Sequence, residues 1–592
     1  MFKERNRIFS LTLTAAMVAL SVVFCRFLGF SATDTPFRFE LGFLPVAFVA
    51  YMFGPIYSGI AYLLADVIGS FFSGYAPNLW ISGCQLLTGI IMGFAFYRKK
   101  LSALRIALGF SVIAVFVDFL AKAPIFILLY GYTAEFAFGA RAINAFINLP
   151  IRAVTFYFLA GALAEPMDNI LKKQNKKSFH SYANSFQAVT IPGLERIGEL
   201  CGLLGNPEDS LKFIHIAGTN GKGSTSAYMA CILEDAGHKV GKYISPNLIK
   251  VNERISIDGK DIGDEELSAL LDRIEPLAKK VEARSGVEPT QFEIWTAAAL
   301  VYFKEKACDY VVLEVGLGGE FDATNVIKSN ELAIITRLGI DHTQYLGNTI
   351  SDVARAKAGI IKDECHTRTV ITVCQESAAL DIIKSTAEKH GCKCIVAEPT
   401  SLGAEGIYER FYLDGVGELT AGISGYHQIE NASLAALAAK TMGIDFEFIK
   451  SGIMRAKNPA RFELVEDEPT VIFDGGHNEN GIEALCLSLE RYFGDREKTV
   501  LFACMSDKEI AKSLEKLGTG DTQFVFTTVK NNPRASSAKA LAERAESLGI
   551  KGKYFEEIGD AYEYAKSLGR LTVICGSLYL YKDFTEYMKG RK

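Results

Sequence analysis

No basic stripe with interleaved aromatic residues runs through this chain, which excludes nucleic acid as a partner. Clustered cysteine is also missing. The twelve cysteines are scattered, and the one tight pair, Cys392-Lys-Cys394, lacks the second pair or the histidines that a zinc site needs. Alternate positions in Cys-Lys-Cys-Ile-Val suit a strand, and the scatter suits reduced thiols in a cytoplasmic compartment. No small-residue cleavage site follows the first apolar segment, so that segment does not read as a secretory signal.

What is abundant is apolar surface. The chain holds 40 phenylalanines in 592 residues, and its mean hydropathy is +0.17. That length exceeds one core and predicts about three to five domains. Charge divides the chain. Through His180, Lys and Arg outnumber Asp and Glu by 16 to 8, whereas the rest carries a net −13. A basic, membrane-like part precedes an acidic, soluble one.

Six apolar stretches predict six spans: Ile8–Phe30, Leu41–Phe53, Ile56–Phe72, Leu79–Tyr97, Ile106–Tyr130 and Ala142–Ala164. The second and third meet at Gly54-Pro55 and read as two helices or one kinked helix. Basic clusters settle the count. Lys3, Arg5 and Arg7 precede the first span; Arg98, Lys99, Lys100 and Arg105 follow the fourth; Lys172, Lys173, Lys176 and Lys177 follow the sixth. Six spans put all three clusters on one side, which predicts a multi-pass cell-membrane protein with both termini cytoplasmic. The last cluster also suits contact with membrane lipid. Within the spans, Arg26, Asp66, Asp118, Lys122 and Arg152 are candidate functional groups, with Asn78, Asn144 and Asn148 as polar contacts. Arg26 and Lys122 stand near span ends, where snorkelling is the alternative.

The soluble part is organised around Phe213–Ala217, Gly-Thr-Asn-Gly-Lys-Gly-Ser-Thr and a helix-compatible run to Leu233. A strand, a glycine turn and a helix start form an anion site, in which backbone N–H groups converge on phosphate. Lys222 would reach the β/γ-phosphates, and the hydroxyl of Ser224 or Thr225 would hold Mg²⁺. The common formula is not met in full, because Ile216 and Gly223 stand where Gly and Ser/Thr are usual. Two further buried strands end in candidate groups, Tyr310-Val-Val-Leu-Glu314 and Leu332 to Asp341-His342. A carboxylate at a strand's carboxyl end beside such a loop is placed to bind Mg²⁺.

The Ala-Gly-Thr-Asn-Gly-Lys-Gly-Ser loop resembles the ATP loop of folylpolyglutamate synthases, in the Mur ligase superfamily. Similar motifs follow in order: Ser245-Pro-Asn-Leu, Glu314-Val-Gly-Leu-Gly-Gly, Ala356-Lys-Ala-Gly, His427-Gln-Ile-Glu-Asn431-Ala and Asp474-Gly-Gly-His477-Asn. The resemblance implies ATP contacts from Thr219, Asn220, Gly221, Lys222, Gly223, Ser224, Asn431, Arg461, Asp474 and His477. It implies one or two Mg²⁺ ions on Ser224, Ser245, Glu314, His342 and, if carbamylated, Lys357. Lys222, Glu314, His342 and Lys357 are the catalytic set. Phe292 and Glu293, in Thr290-Gln-Phe-Glu, are candidate folate contacts. Asn458-Pro-Ala-Arg461 departs from the family's Pro-Gly-Arg, which questions the backbone if that glycine takes φ > 0.

About residues 7–165 resemble the S component of energy-coupling factor vitamin transporters, most closely the folate type, through an Ala15-x-x-x-Ala19 first helix and Phe39-Glu-Leu-Gly-Phe-Leu-Pro45. This implies a vitamin site, with Arg26, Asn78 and Asn144 as candidates, and docking on a shared transmembrane subunit with two ATPases. The expected architecture is a six-helix membrane bundle (1–170), a linker (171–185), an α/β P-loop Mur-ligase-like ATPase domain (186–465) and a smaller Rossmann-like α/β glutamate-ligase domain (466–592). The expected reaction joins L-glutamate to a folate or tetrahydrofolate through an acyl phosphate. Two alternatives stay open, a different amide ligase on a membrane anchor and a self-powered transport ATPase. The missing Leu-Ser-Gly-Gly-Gln signature argues against the second.

Overall fold

The computed structural model describes residues 2–27, 30–31, 38–39, 41–72, 76–97, 99, 101–183, 191–506 and 510–590. Of 2–9, 26–27, 30–31, 38–39 and 164–183 the backbone alone is described. Arg98 and Lys100, and the side chains of Arg26 and of the basic groups at 3–7 and 172–177, lie outside the described residues. The chain divides into two compact units, Met1–Ser185 and Phe186–Lys592.

The first unit is helical: α1 (Phe2–Phe27), α2 (Phe43–Phe53), α3 (Pro55–Phe72), α4 (Leu79–Phe96), α5 (Ala103–Tyr130) and α6 (Ala134–Ala183). Four helical segments are long and apolar enough to cross a membrane: Pro55–Phe72, Leu79–Phe96, Ala103–Tyr130 and Ala134–Leu163. Ser10–Cys25 and Phe43–Phe53 are apolar but shorter. Gly54 takes φ 85° and Pro55 opens α3, so the Gly-Pro step makes two helices rather than one kinked one. The segment expected as a linker is helical as far as Ala183, where α6 ends. Nothing between Met167 and Ala183 breaks a helix, for that stretch holds neither glycine nor proline.

In the second unit, β1 (Phe213–Ala217), β2 (Val240–Tyr243), β3 (Ile255–Ile257), β4 (Lys260–Asp261), β5 (Tyr310–Glu314), β6 (Leu332–Ile335), β7 (Thr369–Val373) and β8 (Lys393–Ala397) form one sheet. Their order is β8-β7-β6-β1-β5-β2-β3-β4, parallel from β8 to β2 and antiparallel beyond. The apolar runs of β1, β5 and β6 are buried throughout apart from Tyr310, as expected of strands covered on both faces. Helices α7 (Lys222–Asp235), α8 (Gln291–Glu305), α9 (Ile350–Ala358) and α10 (Gln428–Thr441) belong to this part. A three-stranded antiparallel sheet follows β8: β9 (Thr400–Glu405), β10 (Tyr408–Leu413) and β11 (Gly417–Thr420).

The C-terminal sheet contains β12 (Glu463–Glu466), β13 (Val471–Phe473), β14 (Lys498–Phe502), β15 (Thr522–Phe526), β16 (Gly552–Tyr554) and β17 (Leu571–Cys575). Its order is β12-β13-β17-β14-β15-β16, parallel except for the β12 edge. Helix α11 (Glu479–Phe493) follows β13, and its N-cap, Asn478, reaches the glycine-rich loop after β1.

Candidate active site

Register aligns the first elements of the site. Ile216 of β1 pairs with Glu314 of β5, and Ala217 pairs with Ile335 of β6. The chain leaving β1 therefore turns beside the end of β5, at the carboxyl edge where parallel sheets bind ligands. The turn is pinned from the β6 side. Thr219 and Asn220 N–H donate to Arg337 O at 3.1 and 3.2 Å, and the Thr336 hydroxyl donates to Asn220 O at 2.6 Å. Gly221 takes φ 89°, and a Cβ there would fall 2.1 Å from Asn431 Oδ1, so only glycine fits. Helix α7 begins at Lys222 and runs 14 residues, directing its N-terminal N–H groups into the turn.

Two lysines converge on one carbonyl. Lys222 Nζ donates to Gly218 O at 2.9 Å and to Thr219 O at 3.2 Å, and Lys357 Nζ, from α9, donates to Gly218 O at 2.8 Å. Burial pushes both amines below the ordinary lysine range. Lys357 falls to about 7, first through burial and then through the Lys222 charge. The Lys222 decrease is opposed by Glu314. Glu314 moves the other way, pushed up to about 7 by burial against the pull of Lys222. Its Oε2 accepts a long bond, 3.4 Å, from Ser245 N–H.

The C-terminal part closes the site. Asp474, buried after β13, accepts from Phe462 N–H at 2.9 Å and Gly476 N–H at 2.7 Å. Asn478 caps α11 and donates to Asn220 Oδ1 at 3.2 Å and Asp341 Oδ2 at 3.0 Å. Asn431 donates to Gln428, while Gln428 and Asn458 both reach the Ser224 hydroxyl, at 3.4 and 3.2 Å. A cleft of about 780 Å³ results. It is lined by the loop Thr219–Ser224 and by Ser245, Glu314, His342, Lys357, Asn431, Arg461, Asp474 and His477.

Of the expected site residues in this unit, two stand elsewhere. Glu293, only 3% exposed, is committed to structure. It accepts from Thr290 N–H at 2.6 Å in a capping box and pairs with Arg196 at 3.1 Å. Phe292 packs beneath the cleft, where a Cβ on Gly316 would lie 2.5 Å from its ring. His342 does reach the rim, exposed and at φ 52°. Ala460 takes φ 59°, the conformation expected of the glycine it replaces, and its N–H donates to Glu463 Oε2 at 2.7 Å. Gln428, Asn458 and Asn478 were not expected as site residues, although all three lie inside the recognised motifs; Asp341 was expected only as the neighbour of His342.

Of the ligand contacts expected in the membrane unit, Arg26 has its side chain outside the described residues, and the other two make local hydrogen bonds. Asn78 caps α4, accepting from Trp80 and Ile81 N–H, and Asn144 donates to Ala140 O at 3.0 Å.

Among the described residues no three His, Cys, Asp or Glu side chains cluster as a metal site. The oxygens of Ser224, Ser245 and Glu314 nevertheless share the cleft. Such a set fits Mg²⁺, which takes one or two carboxylates and completes its shell with phosphate and water. Glu314, raised by burial, gains from a cation beside it. As a free amine, Lys357 does not fit as a ligand.

Residues 216–439 match the Mur ligase middle domain, 460–578 the Mur ligase glutamate ligase domain, and 5–165 the ECF-type riboflavin transporter S component. The dihydrofolate synthase/folylpolyglutamate synthase of Bacillus subtilis is 36% identical over 421 residues, covering 67% of this chain and 95% of the relative. The folylpolyglutamate synthase of Lacticaseibacillus casei is 31% identical, covering 70% and 98%. Mycobacterium tuberculosis folylpolyglutamate synthase, solved with ADP and AMPPCP, superposes with a TM-score of 0.62 at 30% identity, covering 67% and 95%. Escherichia coli FolC, solved with DHPP and ADP, gives 0.62 at 29%, covering 70% and 98%. The chain therefore belongs to the folylpolyglutamate synthase/dihydrofolate synthase family of ATP-dependent ligases, here fused behind an S-component domain of energy-coupling factor transporters.

Proposed function

We propose that the ligase half adds L-glutamate to a folate, with ATP converting the folate carboxylate to an acyl phosphate. The observation that carries this reading is the convergence of Lys222 and Lys357 on Gly218 O beside Glu314 and Asp474. The folate carboxylate oxygen attacks the γ-phosphorus, and the bond to the β–γ bridging oxygen breaks, releasing ADP. The glutamate amine then attacks the acyl carbon. Phosphate departs with the C–O bond, and the amine loses a proton. The α7 N-terminus and Lys222 hold phosphate charge, while Asn431, Arg461, Asp474 and His477 hold the nucleotide against the C-terminal sheet. Ser224, Ser245 and Glu314 would hold Mg²⁺, and His342 a second ion, whose charge would offset that of the phosphates. Lys357, deprotonated in part near pH 7, is poised to take up CO₂ as a carbamate, which would give it a carboxylate toward the second ion.

The membrane half, on this reading, is a folate-binding S component with six spans and both ends cytoplasmic. It docks on an energy-coupling module of a shared transmembrane subunit and two ATPases. Folate brought in there is lengthened by the attached ligase, and each added glutamate brings charge that resists return through the bilayer. The fusion itself supports a ligand common to both halves.

Phosphate release from the detergent-solubilised chain, with tetrahydrofolate present and L-glutamate added or withheld, tests the ligase. Turnover should require glutamate and vanish in Lys222→Ala. Turnover indifferent to glutamate would reject it in favour of a transport ATPase.

A further inference from the structure

Ser224, the residue that would hold Mg²⁺, has a hydroxyl that two amides already occupy. It lies in the first turn of α7 and is only 2% exposed. Its Oγ accepts from Gln428 Nε2, at the start of α10, at 3.4 Å, and from Asn458 Nδ2, ahead of β12, at 3.2 Å. A hydroxyl oxygen has two lone pairs to offer. Both are taken, so Ser224 can hold a cation only when one amide lets go.

The two amides are not held alike. Gln428 is fully buried, and its side chain is fixed from two other directions. Its Oε1 accepts from Asn431 Nδ2 at 3.1 Å, and its Nε2 also donates to His427 Nε2 at 3.0 Å. Turning that amide away would break all of these bonds and strand buried polar atoms, which is costly. Asn458 is half-buried, and among the described residues its side chain makes only the bond to Ser224. A Cβ on Gly223 would stand 3.6 Å from Asn458 Nδ2 and 3.7 Å from Glu314 Oε2. The partly positive amide N–H and the carboxylate therefore lie beside the same glycine, next to the hydroxyl that a metal and Asn458 would both claim.

We infer that Asn458 is an exchangeable stand-in on Ser224 Oγ, and that Gln428 is its permanent anchor. A divalent cation displaces the Asn458 amide, while Gln428 keeps the other lone pair and orients the hydroxyl. The inference rests on the proposed Mg²⁺ role of Ser224. Both amides are positioning residues, acting on the metal through Ser224. Gln428 also joins Asn431, so the contact expected to hold the nucleotide and the one expected to hold the metal share a side chain.

ADP binding to the full chain in detergent would be measured by calorimetry, in EDTA and in saturating MgCl₂, for wild type, Ser224→Ala, Asn458→Ala and Gln428→Met. A thermal melt checks that each variant folds. The quantity read is the factor by which MgCl₂ tightens ADP, in which an effect on the nucleotide alone cancels. With one hydrogen bond at stake, the factor should rise about fivefold in Asn458→Ala and fall about fivefold in Gln428→Met. Ser224→Ala should abolish most of it. A merely structural role would move neither factor, or lower both. Asn458, half-buried in a loop, carries the decisive sign. An unchanged or smaller factor in Asn458→Ala, with Ser224→Ala still impaired, would overturn the inference and leave the Mg²⁺ reading intact. An unchanged factor in folded Gln428→Met would do the same. A factor that Ser224→Ala leaves whole would overturn both.

Discussion

Lys357 offers the most quantitative test of the site. The unfolded chain keeps this amine protonated up to about pH 10.5, whereas the folded chain releases the proton near 7. At about 1.4 kcal/mol per pH unit, that difference amounts to about 5 kcal/mol. The sign follows from proton binding. Between pH 7 and 10.5 the unfolded state holds more protons, so this residue makes stability rise with pH across that window. Below pH 7 the full penalty is present; above 10.5 it is gone. Lys357→Met removes the penalty and one hydrogen bond to Gly218 O, the bond being worth about 1 kcal/mol. The variant should therefore be more stable than wild type by roughly 3–4 kcal/mol at pH 6.5, and the gain should shrink toward pH 10. Urea unfolding in CO₂-free buffer would be followed by Trp295 fluorescence. Trp295 is 2% exposed in the ligase half, and the chain's other tryptophan, Trp80, is 68% exposed in the membrane half. Parallel stability profiles for wild type and variant between pH 6.5 and 10 would refute the reasoning.

Three further outcomes follow from named contacts. Gly221→Ala forces a side chain into φ 89° against Asn431. Strain of about 1–3 kcal/mol should weaken ADP binding roughly 5- to 100-fold by titration, and unchanged affinity would remove the loop from the nucleotide site. Glu314→Gln removes a buried carboxyl raised from 4.5 to about 7. Its cost grows as pH rises from 4.5 to 7 and stays in full above. At pH 7.5 the variant should gain about 3 kcal/mol of stability yet lose at least about tenfold in turnover. Glu409→Ala strands Arg491 and Tyr492, whose side chains donate to that carboxylate from α11. With Arg491 partly exposed, a loss of about 2 kcal/mol in urea unfolding is expected.

Much of this site could be read from the chain because its signals are local. The glycine-rich loop is a strand, a turn and a helix within some twenty residues, and Glu314 ends its strand. The strand expected to reach His342, however, stops at Ile335 and leaves that histidine in the following loop. Asn478 was different. Its bonds to Asn220 and Asp341 join parts of the chain 258 and 137 residues apart, and no periodicity encodes that distance. Glu293 shows a local signal read the wrong way, since Thr290-x-x-Glu293 spells a capping box. The 171–185 stretch shows composition outweighed by continuity. A polar run with no glycine or proline extends α6 to Ala183. In the membrane unit, hydropathy located the helices, but α2 at 11 residues is too short to declare a span by itself.

The claim that one chain both admits and extends folate is tested most directly by retention. Cells expressing the wild-type chain with its energy-coupling module would be loaded with labelled folate, washed and extracted. The account predicts labelled folate carrying added glutamates and held through the wash, against unextended label that leaks away in cells carrying Lys222→Ala. Equal retention of unextended label in both would contradict it.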